Sequence, residues 1–447
     1  MSHYKPYPAY KDSGVEWIGL VPIHWTTAQL RRVIQSIEQG WSPECDVWPA
    51  AEGEWGVLKA GCVNNGEYRE WENKALPPHF DAKPEYEVVP GDILMSRASG
   101  SPELVGSAAL VNTTRPKLML SDKVFRVRLR SNATPRFFVA AIGSRPLRFQ
   151  IENELSGGNG LANNLPQSAL MAFVMPLPSV AEQASITASL DGETARIDAL
   201  IAKKSRFIEL LTEKRQALIT HAVTRGLDPV VTMKDSGVDW IVEVPEHWEV
   251  LPSTWLFVES SERAREDDEH LSATQKYGVI PLAEYERLES RQVTHAVKNL
   301  EQRKHVEIDN FVISMRSFEG GIERVKARGC VRSSYVVLLP EAKADVGFYA
   351  YLLKSSTYIQ GLQATASFVR DGQDLSYGNF RQVKLPVPGL EEQRAIAQYL
   401  DRSIARIDSL TGMTERSITL LKERRAALIS AAVTGQIDLR STAANEP

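Results

Sequence analysis

The feature that most constrains this chain is an internal duplication carried at two different offsets. KDSGVEWI at 11–18 recurs as KDSGVDWI at 234–241, and Val21, Pro22, His24 and Trp25 recur as Val244, Pro245, His247 and Trp248, an offset of 223 throughout. A second set keeps an offset of 210: Glu182 and Gln183 match Glu392 and Gln393, ARID at 195–198 matches 405–408, and AVT at 222–224 matches 432–434. The offsets differ, 223 − 210, by 13 residues, so the stretch between the two sets is shorter in the second copy while its flanks keep their identity. Such a period is far too long for a solenoid. It describes two large, equivalent modules with conserved frames and divergent middles.

Within each module the frame ends in a long helix. From 181 to 223 there is no Pro and one Gly, and Leu190, Ile197, Ile201, Ile208, Leu211 and Leu218 fall at steps of three, four and seven. The partner stretch, 390–433, repeats the seam as Leu400, Ile404, Ile407, Ile418, Leu421 and Leu428. Two matched amphipathic helices are expected to pair along these residues. Each follows a Pro-x-Pro entry, Pro176–Pro178 and Pro386–Pro388, that stops a preceding strand, and Ser179 is a candidate N-cap. About 42 residues at ~1.5 Å each give roughly 60 Å, far above the usual helix. Lys204, Arg215, Thr411, Thr414 and Arg425 interrupt the seams, either at frayed or solvated ends or where these positions face other helices or acidic groups of a partner subunit.

Between the frames, 26–175 and 249–385 are punctuated by Gly and Pro and carry short β-branched runs at 92–95, 124–127 and 335–339, as mixed α/β globules do. Faint landmarks are shared: Ile93–Arg97 (ILMSR) resembles Val312–Arg316 (VISMR), and NNL at 163–165 and QDL at 373–375 each precede a Pro-x-Pro. The expected organisation is a signature segment 1–25, a globule 26–178, a helix 179–226, a second signature 227–248, a second globule 249–388, a helix 389–436 and a tail 437–447. At 447 residues, with 43% hydrophobic and 24% charged, the chain has the composition of a folded protein with more than one core.

Signatures of catalysis are missing from the sequence: there is no GxxxxGK[ST], HExxH or GxSxG, and no Asn/Asp-Pro-Pro-aromatic motif of amino-methyltransferases. No catalytic residue and no metal site are expected. Nuclease-like fragments at 81–83 and 341–343 are of a kind that chance supplies, and Gly157–Gly160 (GGNG) lacks the strand-then-helix context of a phosphate cradle, which leaves it a flexible loop. Cys45, Cys62 and Cys330 show neither zinc nor disulfide spacing, and no stretch reaches ~18 apolar residues, so a reducing, cytoplasmic location is expected and no membrane partner. Trp17, Trp25, Trp240, Trp248, His24 and His247 belong to the repeated frame, which favours packing roles.

Charge distribution points to nucleic acid. From Arg115 to Arg148 lie nine Arg or Lys residues and a single acid, Asp122, inside a chain of net charge −4. Arg126, Arg128 and Arg130 alternate, so a strand would present them on one face to phosphates or guanine edges. Together with Arg97 and Lys123 in the first globule, and Arg316, Arg328 and Arg332 in the more acidic second one, they are the candidate DNA-binding residues. The negative net charge implies that partners help to hold the duplex.

Signature, variable globule, Pro-x-Pro, Glu-Gln and long helix, all repeated, resemble the specificity subunits of type I restriction-modification systems from end to end. The residues that carry the resemblance are Gly14–Trp17 with Pro22, His24 and Trp25, Pro176–Pro178 through Glu182 and Gln183, and their second copies. It implies an α+β chain with two pseudo-symmetric mixed α/β target recognition domains separated by two long antiparallel coiled-coil helices. Each domain would read one half of a split double-stranded DNA site, and the helices would set the gap. Duplex DNA repeats in ~34–36 Å, so helices of this length suit globules about one turn apart. The resemblance further implies two modification subunits that carry S-adenosylmethionine and methylate adenine, and restriction subunits that use ATP and magnesium, with no cofactor on this chain, in the cytoplasm of a bacterium or archaeon. The second Pro-x-Pro runs into Gly389–Glu391 and the second globule is shorter, so no contact residue is carried over between halves or from the family.

Three other functions fit the sequence less well. A stand-alone DNA-binding regulator is disfavoured by the acidic balance and the exposed helix faces. A protein-binding scaffold would not need the basic stretch at 115–148. A fused type II enzyme would need methyltransferase and nuclease motifs that this sequence lacks.

Overall fold

A computed structural model describes residues 4–156, 163–290, 302–314, 317–365 and 377–440. The chain forms two compact units, one of residues 1–204 with 416–447, the other of 205–415. Each unit contains one α/β globule and part of both long helices.

In the first unit a four-stranded antiparallel sheet uses β1 (Ile34–Gln39), β2 (Ile93–Ser96), β3 (Ala108–Leu110) and β4 (Val124–Leu129) in the order β1-β4-β2-β3. The second unit repeats it with β5 (Phe257–Ser260), β6 (Phe311–Ile313), β7 (Glu323–Arg324) and β8 (Val336–Pro340), in the order β5-β8-β6-β7. The landmark at 93–97 thus lies on the strand equivalent to the one at 312–314, while Met315, Arg316, the glycine-rich 157–160 and 373–375 lie outside the described residues.

Both faces of each sheet are covered. Ile93, Met95, Phe125 and Val127 join the large core that reaches the helices, whereas Leu94 and Val124 turn into a second core with Leu58, Val63, Leu118 and Leu120. In the second unit Phe311, Ile313 and Leu338 take the first role, and Val312 and Val337 the second. Period-two alternation with two buried faces explains why β2 and β6 read as short continuous apolar runs, whereas Arg126 and Arg128 interrupt β4.

The long helices are α1 (Val180–Arg225) and α2 (Leu390–Val433), within a few residues of the bounds that the sequence predicts. Ser179 caps the first, its Oγ accepting from the Glu182 amide at 3.3 Å. Leu190, Ile197, Leu211, Leu400, Ile404, Ile407 and Leu428 are buried, and Ile201, Ile208, Leu218, Ile418 and Leu421 are half-buried. The helices run antiparallel in both units. In the first, Asp198 Oδ1 lies 2.9 Å from Arg425 Nε, and in the second, Arg215 Nη1 lies 2.7 Å from Asp408 Oδ1. These are one interaction repeated at the 210 offset. Arg215 and Arg425 are therefore not frayed: each faces the other long helix, one of the two expectations for these positions, and neutralises the Asp of its ARID motif. Thr414, buried at 8%, donates its hydroxyl to the Leu410 carbonyl.

The repeated signature serves the same frame. Trp25 and Trp248 are fully buried. Each lies against the glycine that ends a long helix in the left-handed region, Gly435 (φ 74°) with Pro22 and Trp25, and Gly226 (φ 76°) with Pro245 and Trp248. A Cβ at Gly435 would meet the Pro22 ring at 2.3 Å, so glycine is needed there for space and for backbone angle. His24 Nε2 lies 3.1 Å from Glu182 and His247 Nε2 2.9 Å from Glu392. Gln183 accepts from the Thr134 amide and donates to the carbonyls of Asn132 and Pro178, and Gln393 does the same with Asp345, Lys343 and Pro388. Both Gln side chains are fully buried, so the Glu-Gln pair fastens each globule to its helix.

Candidate nucleic-acid interface

The basic residues of 115–148 do not gather on one surface. Arg115 donates to the Glu54 and Pro116 carbonyls, Arg148 to those of Val105 and Glu103, and Arg136 pairs with Asp191. A cleft of about 720 Å³ in the first unit shows the same balance, with Arg69, Arg136 and Arg425 facing Glu67, Asp191 and Asp198.

Arg126 departs from the expectation. It is 4% exposed, and its guanidinium is consumed internally. Nη1 reaches Glu38 at 3.0 Å, Nη2 donates to the Tyr86 and Glu87 carbonyls at 3.2 and 2.6 Å, and Nε lies 3.1 Å from the fully buried Asp92, an ion pair without hydrogen-bond alignment. The alternation does put Arg126 and Arg128 on one face, but that face is roofed by the second core, and Arg126 stands opposite Leu94 as Val337 stands opposite Val312 in the other sheet. A buried arginine so paired holds the sheet together, and burial keeps its guanidinium from DNA. Arg128 is partly exposed, with Asp92 at 2.9 Å and Glu38 at 3.9 Å. Arg130 follows the end of β4, beyond the register shift at Arg128, and is exposed.

Of the remaining candidates, Arg97 is half-buried and donates to the Asp122 carbonyl at 3.2 Å, while Lys123 is exposed beside Asp122. In the second globule Arg328 is drawn into an acidic cluster, 2.8 Å from Asp267 and 3.7 Å from Glu307. Within that cluster His305 is buried between Asp268 (2.8 Å) and Glu307 (3.0 Å). Burial opposes its protonation, but hydrogen bonds to the two carboxylates prevail and raise its pKa. Arg332 is exposed, with no ion pair among the described residues, and Arg316 lies outside them.

Exposed cations that sequence reasoning passed over are Arg31 and Arg32, in a short 3-10 turn just before β1. The available signal was the absence of any acid between Glu16 and Glu38. No group of His, Cys, Asp and Glu among the described residues has metal-holding geometry, and none of their helices is long and apolar enough to cross a membrane.

Comparison with known proteins gives these features a context. A family model described as Type I restriction modification DNA specificity domain matches residues 260–418. The type I restriction enzyme EcoEI specificity subunit of Escherichia coli is 35% identical over 189 residues, which is 42% of this chain and 31% of that one. A Methanocaldococcus jannaschii protein assigned as the MjaX type I restriction enzyme specificity subunit is 21% identical over 439 residues, 95% of this chain and 96% of its own length. Among solved structures, a chain from work on complex assembly and conformational transition of the type I R-M system superposes with a TM-score of 0.66 at 16% identity, over 93% of this chain and 99% of that one, a likeness of fold.

Proposed function

We propose, starting from a chain that belongs to the type I restriction-modification specificity subunits, that each globule reads one half of a bipartite duplex site and that the helix pair fixes the gap between the halves. The observation that carries this is the repetition of a whole reading frame: the same sheet order, the same Gln bracket at the globule's base and the same Asp–Arg pair between helices occur in both units. Two equivalent frames bearing different loops suit a site of two different halves. The chain acts as a non-catalytic subunit. Methylation of adenine with S-adenosylmethionine falls to two modification subunits, and cleavage with ATP and magnesium to restriction subunits.

Exposed apolar residues on the helices support subunit docking. Leu210 and Leu420, related by the 210 offset, are 45% and 64% exposed, and Phe207 and Met413 are exposed as well. Helices that bury one seam and expose another suit incorporation into a larger bundle.

The test is an exchange of residues 26–178 for the first globule of another family member, in a complex with modification subunits. One half of the methylated motif is expected to change, with the other half and the gap retained. A change in both halves, or in neither, would contradict the division of labour.

A further inference from the structure

The base of the first globule carries an asymmetry that the repeated frame exposes. Three segments meet there: the Leu30 amide donates to the Phe173 carbonyl, the Arg130 amide to the Val33 carbonyl, and Asn132 Nδ2 to the Arg32 carbonyl. The second globule repeats the first two bonds as Ser253 to Val383 and Glu341 to Leu256, so the positions are equivalent. Their chemistry is opposite. Segments 26–33, 130–136 and 167–173 hold four arginines and no acid, whereas 249–256, 341–347 and 377–383 hold Glu249, Glu341 and Asp345 against Lys343 and Arg381. Arg136 is paired with Asp191, and Arg31, Arg32 and Arg130 are exposed with no ion pair among the described residues.

We propose that Arg31, Arg32 and Arg130 form a phosphate-backbone contact of the first globule, without counterpart in the second, that supplies affinity and not base sequence. This rests on the DNA-reading function above and adds which side chains hold the strand. Two observations favour DNA over an acidic protein. Exposed neighbours in these segments are Ser131, Gln167 and Ser168, further donors to phosphate oxygens. No large exposed hydrophobic side chain falls in them, although a protein-docking centre needs one. The second globule reverses this as well, with Trp255 62% exposed at the position of Arg32. In a chain of net charge −4, unpaired arginines are where counterions condensed on DNA can be displaced.

The experiment measures the salt dependence of duplex binding by the complex with modification subunits, for the parent and for Arg31→Gln/Arg32→Gln/Arg130→Gln. Three lost phosphate contacts are expected to lower the slope of log K against log salt by about 2 to 3 and to weaken binding at low salt at least tenfold, with the methylated motif unchanged. Lysine at the three positions is expected to keep the slope. An unchanged slope overturns the proposal, and so does a variant that no longer assembles with modification subunits while its thermal unfolding is parental, which assigns the patch to protein docking. Should the triple variant not be soluble, Arg31→Gln/Arg32→Gln alone is expected to lower the slope by about 2. A parent complex that binds no specific site would instead defeat the DNA-reading function itself.

Discussion

Arg126→Met is expected to destabilise the first globule by about 3–5 kcal/mol in chemical unfolding, although sequence reasoning places this residue on a DNA-facing strand. The change leaves Asp92, fully buried, with Arg128 as its remaining cationic partner at 2.9 Å, and takes one donor from the Tyr86 carbonyl, which keeps the Leu120 amide, and one from the Glu87 carbonyl. Arg126→Glu is expected to be worse, since it sets a third carboxylate beside Asp92 and Glu38. Because Val337 fills the equivalent position in the other sheet, removing both charges, Asp92→Leu with Arg126→Met, is expected to recover much of the loss. Parental stability for Arg126→Met together with lost half-site recognition would return the arginine to the DNA face.

Lengthening both helices is expected to produce the largest functional change. One heptad inserted opposite itself in α1 and α2 adds about 10.5 Å while keeping the apolar seam within about 20° of register. At ~3.4 Å per pair the gap should grow by about three pairs with both half-sites intact. About three pairs also turn the duplex by roughly 100°, so binding should weaken. Three heptads, roughly nine pairs and nearly one turn, should bind better than one. An unchanged gap in the methylated motif of either variant would remove the ruler role of the helices.

The frame was legible in the sequence because duplication writes it twice. Helix bounds and seam residues follow from periodicity and offset, and the β-branched runs at 92–95, 124–127 and 335–339 lie within one or two residues of the strands Ile93–Ser96, Val124–Leu129 and Val336–Pro340. Arg215 and Arg425 looked like defects because a seam is judged on one helix at a time. Their partners, Asp198 and Asp408, lie 193 to 227 residues away, and only the antiparallel pairing brings them together. The candidate interface was less legible for a related reason. Alternation tells which residues share a face of β4, but not whether a second layer covers that face. Here Leu58, Val63, Leu118 and Leu120 cover it. Arg328 likewise reads as a free cation until residues 267 and 307 fold against it. Arg31 and Arg32 are exposed in a segment without acids, since a cation with no acid within its own packing neighbourhood is left to face outward.

Division of a DNA site between the two globules is tested by co-expressing this chain with modification subunits in a methylation-free host and mapping adenine methylation across the genome by single-molecule sequencing. One split motif is expected, with two different defined halves around an unspecified gap of constant length. Methylation of a single uninterrupted motif, or none from an active methyltransferase stably bound to the chain, would contradict it.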